Sequence, residues 1–390
     1  MNSNQQNNKA KKQRNGFFKF MFFLALIIVV IYQTDSPTAL AQNVGKDIIK
    51  QYWGHGNETT VIDCSACSTL SETGAKIKTA LKSCPKRILL WNGTYSGNPQ
   101  DYAPLYDCFW VDRFSSRNDT VMGIPVGIIE MNYSVTDPKT IARMQAEIDA
   151  VAWEILAKCP GDGDIFGDCL VIHDELIKRI TYDRSLSFPH IYDIYGALVN
   201  GKAVCQGYAY AFSYLTNLLG YDSVVVISGN HAWNMINSWI NCNERFIDVT
   251  WDDLDCKDSR GYEYIRYDYF GLTREMVESI KDHGIVGING TQQPVVPDRE
   301  PFNYHEMYGN VSFSYSYDEV VDIFRMQDTS RGRTASIRYL TDASWDAAKS
   351  RLLTDQGLIG RAFREATGEY NAPVVYWVNE EVRIITVAFQ

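Results

Sequence analysis

The chain has 390 residues and a formal net charge of −10 at pH 7, with 45% hydrophobic and 22% charged residues. That composition is globular and long enough for two or three domains, and the acidic balance excludes a binder that grips nucleic acid or anionic lipid by charge. Nine cysteines are many for a reducing compartment and ordinary for an oxidising one.

Residues 1–15 are polar and basic, and Phe17 to Tyr32 is an apolar run broken only by Lys19. Thr38-Ala39-Leu40-Ala41 follows with small residues at the exit, so residues 1–41 are predicted to be a secretory signal peptide. The uninterrupted part, Phe20 to Tyr32, is short for a bilayer span, so membrane attachment is expected only if the leader stays uncleaved. The expected location is secreted or cell surface. The leader is net +4, which leaves −14 on the rest of the chain.

Residues 42–135 are expected to form a mixed N-terminal region. A helix is predicted near Gly74 to Leu81, with strands near Arg87 to Trp91 and Val121 to Tyr133. Its aromatics (Trp91, Tyr95, Tyr102, Tyr106, Phe109, Trp110) fit a carbohydrate- or peptide-binding face or, more commonly, core packing. Cys64-Ser-Ala-Cys67 invites a zinc or redox reading. No second pair of ligands follows it, and a structural disulfide is the expectation.

From Asp137 the pattern is helical: Ile141, Met144, Ile148, Val151 and Ile155 share one face. A second helix is predicted from Cys169 to Ile180, with His173 as a structural side chain. The acidic loop Asp162-Gly-Asp164 lacks the oxygen ligands of a calcium loop. Gly201 to Trp251 then carries the chemistry. Tyr208, Phe212, Leu215 and Leu219 recur at helical steps after Cys205, which places that thiol at the positive end of a helix, where thiolate is favoured. His231 opens an alternating strand that runs to Ser238, and Asp248 falls on a predicted strand from Arg245 to Thr250. A thiol nucleophile needs a base beside it and a group to orient that base, so Cys205, His231 and Asp248 are the candidate catalytic residues. Direct pairing of His231 with Asp248 conflicts with the turn-like residues Asn241 to Glu244, and either a bulge or a diagonal pairing reconciles them. Gly207 is expected to leave room for approach to the sulfur.

Setting Cys205 aside leaves eight cysteines, expected mostly as disulfides, with Cys159–Cys169 and Cys242–Cys256 the simplest pairs. Asp252, Asp253, Asp255 and Asp258 read as a solvated loop, and His190, His283 and His305 receive no role. Pro294 to Pro301 reads as a linker. Residues 302–390 are predicted as a small α+β unit with a helix from Tyr317 to Met326 and strands at Ser336 to Leu340, Val374 to Val378 and Val382 to Phe389.

The motifs VCQGYA around Cys205, HAWN opening on His231 and IDVTWDD around Asp248 resemble the catalytic core of the transglutaminase-like superfamily, in the form of its exported bacterial members. IHDELIKRITYD (Ile172 to Asp183) and YDYFGLTREMVESIKDH (Tyr267 to His283) extend the resemblance over roughly Asp137 to His283. The resemblance implies an α+β fold with a papain/transglutaminase-like core, in which a helix bearing Cys205 packs on an antiparallel sheet bearing His231 and Asp248. Residues 136–293 are then the catalytic domain. It also implies a cysteine peptidase or amidase acting on a protein or peptide substrate, cell-wall or surface associated, with no cofactor or metal; the acidic balance argues against a nucleic acid partner. Protein cross-linking by acyl transfer and a non-catalytic cell-surface binding module are the alternatives.

Overall fold

The computed structural model describes residues 58–95, 107–121, 124–236, 244–281, 283, 303–330, 332–354 and 357–390. The leader, the Pro294–Pro301 linker, Cys242, Tyr102 and Tyr106 lie outside them. No helix among the described residues is long and apolar enough to cross a membrane. The chain divides into two compact units, residues 1–95 with 113–133, and residues 96–112 with 134–390.

The first unit is a four-stranded sheet with order β1-β2-β4-β3, formed by β1 (Thr59–Asp63), β2 (Arg87–Trp91), β3 (Val111–Val121) and β4 (Ile124–Tyr133). β1 and β2 are parallel, so the chain must cross over between them, and α1 (Leu70–Leu81) does so. The Thr69 side chain caps α1 by accepting from Glu72 N–H. Leu89, Trp91, Val126 and Ile128 make the core of this sheet, and Tyr95 is buried as well. The buried aromatics here serve packing.

In the second unit α2 (Pro138–Leu156) starts with Pro138 behind an Asp137 cap, and α3 (Ile165–Arg179) starts behind Asp164. Two short parallel strands, β5 (Thr181–Tyr182) and β6 (Lys202–Ala203), then deliver the chain to α4 (Cys205–Leu218). α4 is buried on nearly all sides, with Tyr208, Ala211, Phe212 and Leu215 fully inaccessible. Burying a side chain the size of Phe212 or Leu215 contributes about 2–3 kcal/mol each, so this helix is fixed in place by its packing.

A second four-stranded sheet, order β12-β9-β8-β7, lies against α4. It comprises β7 (Ser223–Ser228), β8 (His231–Ile236), β9 (Arg245–Ile247) and β12 (Phe270–Leu272). Between β9 and β12 come α5 (Val249–Asp252) and a β10 (Asp253–Lys257) to β11 (Glu263–Ile265) pair. The predicted strand from Arg245 to Thr250 therefore ends three residues early: after Ile247 the chain turns into a helix of four residues, with Asp248 as its N-cap. The pairing of Asn234 with Ile247 and Met235 with Phe246 would put Trp233 opposite Asp248, so His231 and Asp248 meet on the diagonal.

α6 (Arg274–Ser279) follows β12. The remainder, with α7 (Tyr304–Met307), β13 (Val311–Ser312), α8 (Tyr317–Met326), β14 (Thr334–Tyr339), α9 (Asp342–Ala348), α10 (Leu358–Thr367), β15 (Val374–Asn379) and β16 (Ile384–Phe389), builds a third sheet of order β13-β14-β16-β15. Its own core includes Phe324, Tyr339, Trp345 and Phe363. Val382 and Ile384 instead join the cluster under the second sheet, with Trp233, Phe246 and Tyr269. The whole is a mixed α+β protein.

The expected disulfide framework is not found among the described cysteines, which are free thiols. Cys169 is wholly buried on α3, and the Cys159 thiol points at Asp168 O instead, 3.9 Å away. The Cys242–Cys256 pair lies partly outside the described residues.

Candidate active site

Cys205 is the first residue of α4. Val204, the N-cap, offers no side-chain acceptor, so the first N–H groups of α4 have no capping side chain. The Tyr182 hydroxyl lies near the Cys205 N–H, whose dipole favours its ionised form. Tyr182 is carried there by the pairing of β5 with β6, which sets it beside Ala203. The Cys205 thiol lies 3.9 Å from Asn230 O, at the turn before β8.

His231 opens β8. Its Nε2 lies 2.5 Å from Asp248 Oδ2, and the Cys205 thiol lies close enough to the imidazole to favour its charged form. With Nε2–H donated to the carboxylate, Nδ1 is the nitrogen left for the sulfur. Burial depresses the His231 imidazolium, but the Asp248 charge and hydrogen bond outweigh it and raise the group to about 10. Asp248 is almost inaccessible, and an unpaired carboxylate there would cost several kcal/mol. Three donors meet it: His231, the Trp251 N–H at 3.0 Å and His283 Nε2 at 2.7 Å. Burial alone would raise the carboxyl, and the two imidazoles hold it well below its ordinary value.

His283, given no role from sequence, is thus a direct partner of the predicted acid. It is fully buried and stacks on Tyr269, with the Trp251 ring 4.2 Å away. His231 packs between Trp233 and Trp251, with ring centres 5.6 and 5.2 Å away. His231, Asp248 and His283 form the one group among the described residues that could hold a metal ion. Their nitrogen–oxygen distances of 2.5 and 2.7 Å are hydrogen bonds, shorter than the roughly 3.3 Å between two ligands of one tetrahedral zinc.

The motif residues around the three groups interlock. The HAWN asparagine, Asn234, is fully buried and donates to Ala209 O at 2.8 Å and Ser213 Oγ at 3.0 Å, which clamps β8 to α4. Tyr208 of α4 donates to Asp253 Oδ2 at 2.7 Å. His173 sits between Asp174 and Asp252, at 3.1 and 3.2 Å, and Asp252 also accepts Tyr269 N–H. Burial opposes the charge on His173, but the two carboxylates raise it to about 9. Asp252 and Asp258 are therefore buried, not solvated as their density suggested. The partners of Asp252, His173 on α3 and the Tyr269 N–H, are distant in sequence and hid this, whereas Asp258 is held by its near neighbours Arg260 and Tyr262. Gly207 also has a different reason from the expected one. A Cβ there would lie 2.7 Å from Ala203 Cβ and 2.8 Å from Ile191 O, so the glycine allows close backbone packing behind the helix. Gln206 donates to Tyr192 O at 3.0 Å, outside the group around the sulfur.

The His231 proton has a consequence for stability. Its folded pKa lies above the unfolded value near 6.5, so the folded state keeps a proton that the unfolded chain releases. The stabilisation is complete below about pH 6.5 and is lost as pH rises through about 10. We expect the melting temperature to fall over that window, and to fall less in His231→Gln. Calorimetry from pH 6 to 10 checks this, and equal slopes for the two proteins would contradict it.

No protein-family model matches the chain, and no curated protein does. Among solved structures it is similar to one described as a TGase, with 15% identity, a TM-score of 0.26, and coverage of 45% of this chain and 53% of that one. It is also similar to a putative cysteine protease from Cytophaga hutchinsonii, at 11% identity and a TM-score of 0.22, covering 36% of this chain and 65% of that one. These two neighbours are transglutaminase-like. A third is a menin structure described by its binding site for the Mixed Lineage Leukemia protein, at 16% identity and a TM-score of 0.25, covering 60% of this chain and 53% of that one. The chain spans less than two thirds of the length of each. At such TM-scores the functional reading rests on the site's own residues.

Proposed function

We propose that the chain is an exported thiol enzyme that attacks amide or peptide carbonyls and releases the acyl group to water, as a peptidase or amidase. The observation that carries this reading is the ordered contact from the Cys205 thiol through the His231 imidazole to the Asp248 carboxylate, at a helix start with no capping side chain.

His231 holds the proton given up by Cys205 as its imidazolium, and the sulfur bonds to the carbonyl carbon. The oxyanion that forms is received by the Cys205 N–H, with the Tyr182 hydroxyl as the side-chain donor, a role the sequence left unassigned. Collapse breaks the C–N bond, and the departing amine leaves with the proton from His231. Water, deprotonated by His231, then attacks the thioester, and the thiol is restored with that proton. Asp248 holds the imidazole in the useful tautomer and stabilises its charged form. A protein or peptide outside the cell or at its surface is the proposed substrate. The preference for water over an amine acceptor rests on the resemblance to exported bacterial members of the superfamily.

The test is to incubate the chain and its Cys205→Ala variant with a glutamine-containing protein and a labelled primary amine, and to read the products by mass spectrometry. Cleavage or deamidation that needs Cys205 is the expected result. Amine incorporation that needs Cys205 would make the chain a cross-linking enzyme. No reaction, with Cys205 alkylated no faster than a free thiol, would leave a binding module.

A further inference from the structure

The Cys64-Ser-Ala-Cys67 pair takes no part in the site above, and its two cysteines are free thiols. They occupy the turn that leaves β1 for α1. The Cys67 N–H closes on Cys64 O at 3.0 Å, which brings the two thiols side by side, and the Cys67 and Cys64 thiols point at Asp63 O and Ile62 O respectively.

Their surroundings differ. Cys64 is buried beneath Gly93, where a Cβ would lie only 2.7 Å from Cys64 Cβ and 3.0 Å from its sulfur. Burial pushes the Cys64 thiol up to about 11. Cys67 is partly exposed. Lys76, on α1, places Nζ 3.2 Å from Cys67 Sγ and is steadied by Asp63 O at 3.0 Å. Against the cost of burial, the hydrogen bonds from Thr73 and Lys76 hold the Cys67 thiol below its ordinary value. Beside Lys76 an open groove of about 530 Å³ is lined by Thr60, Ile62, Ala75 and Thr79.

We propose that Cys64 and Cys67 form a dithiol exchange site for polypeptide disulfides, with Cys67 as the attacking sulfur and Cys64 as the resolving one. The geometry matches the division of labour such exchange needs: an accessible sulfur beside a cation, and a second thiol kept protonated until it is required. A structural bridge is the poorer use of this pair. Closing so short a loop removes little freedom from the unfolded chain, and a cystine sulfur gains nothing from an ammonium at hydrogen-bond distance.

In the exchange the Cys67 thiolate attacks one sulfur of the substrate disulfide. That S–S bond breaks, a new one joins Cys67 to the substrate, and the expelled thiolate takes up a proton. Cys64 then loses its proton and attacks Cys67 Sγ, and the second substrate thiolate leaves and is protonated. The substrate has gained two electrons, the pair is oxidised to Cys64–Cys67, and a small thiol of the glutathione class returns it to the dithiol. The groove beside Lys76 gives the substrate polypeptide room to lie along β1 and α1.

The experiment uses the full chain carrying Cys205→Ala, so that the outcome is independent of the proposed amide chemistry. The reduced protein is mixed at pH 7 with dithiobis-nitrobenzoate, the coloured thiolate is followed by stopped flow, and the modified cysteine is located by mass spectrometry. The expected result is a fast release from Cys67 followed by a second release as Cys64 closes the disulfide. Cys67→Ser removes the fast phase, and Cys64→Ser stops at a stable mixed disulfide on Cys67. Lys76→Met, a change at an exposed side chain, slows the fast phase about tenfold or more. An unchanged rate in Lys76→Met overturns the proposal. So does a Cys64–Cys67 disulfide that excess glutathione leaves intact, which would make the pair structural.

Discussion

Asp248→Asn is expected to lower the rate of Cys205 acylation about 10⁴-fold while leaving the fold in place. The asparagine Oδ1 can still accept the Trp251 N–H, so the cap of α5 survives. The loss falls on the other oxygen, which accepts from both His231 and His283. An amide NH₂ at that position meets two ring nitrogens as a donor. His231 is then stabilised with its proton on Nδ1, the nitrogen facing the thiol, and cannot receive the proton of Cys205. Acylation by an activated nitrophenyl ester in a single turnover, with the melting temperature recorded beside it, separates chemistry from folding. A drop of only tenfold at unchanged melting temperature would mean that the imidazole is oriented by its aromatic neighbours alone. His283→Gln offers the graded comparison: the carboxylate keeps His231 as a partner, so a smaller loss is expected there.

Asn234→Leu is expected to destabilise the chain by about 3 kcal/mol, because it breaks both bonds between β8 and α4 and forces a branched apolar side chain into a fully buried polar site, with the Ser213 hydroxyl left to Ser223. For a unit of this size that is a fall of roughly 6–12 °C in melting temperature. The activity falls further than the stability, since the same two bonds hold the His231 strand at its distance from the Cys205 helix, and a displacement of about 1 Å between reacting groups costs on the order of 10² in rate. A thermal melt and an acylation rate at a temperature where the variant is fully folded measure the two effects apart. A variant as stable as the parent would show that the clamp is dispensable.

The parts of the site legible in the sequence were those fixed by short-range pattern. The helical repeat after Cys205 and the alternation after His231 each lie within one element. The order of the motifs gave the rest of the chemistry. The end of β9 was not legible, because Arg245 to Thr250 alternates like a strand and a helix of four residues is too short to show a period. Only the capping habit of an aspartate hinted at it, and the short bond from Trp251 N–H to Asp248 shows that habit at work. β3 was missed because Arg113 to Asp119 is almost wholly polar, which removes the apolar alternation that marks a strand. His283 and the His173–Asp252 contact could not be read at all. Their partners are 35 and 79 residues away, and nothing local marks a histidine for either role.

The final hairpin of the chain bears on the timing of activity in the cell. Asn379 and Thr386, on β15 and β16, hydrogen-bond Asp268, and Tyr264 donates to Phe389 O at 2.5 Å. Val382 and Ile384 fill the underside of the sheet that carries His231. During synthesis the three proposed catalytic residues leave the ribosome more than a hundred residues before these supports do. A nascent chain that has not yet released β16 has the thiol, the imidazole and the carboxylate but lacks the floor that aligns them. Under the proposed function, the thiol is therefore expected to become active only after translation has passed β16.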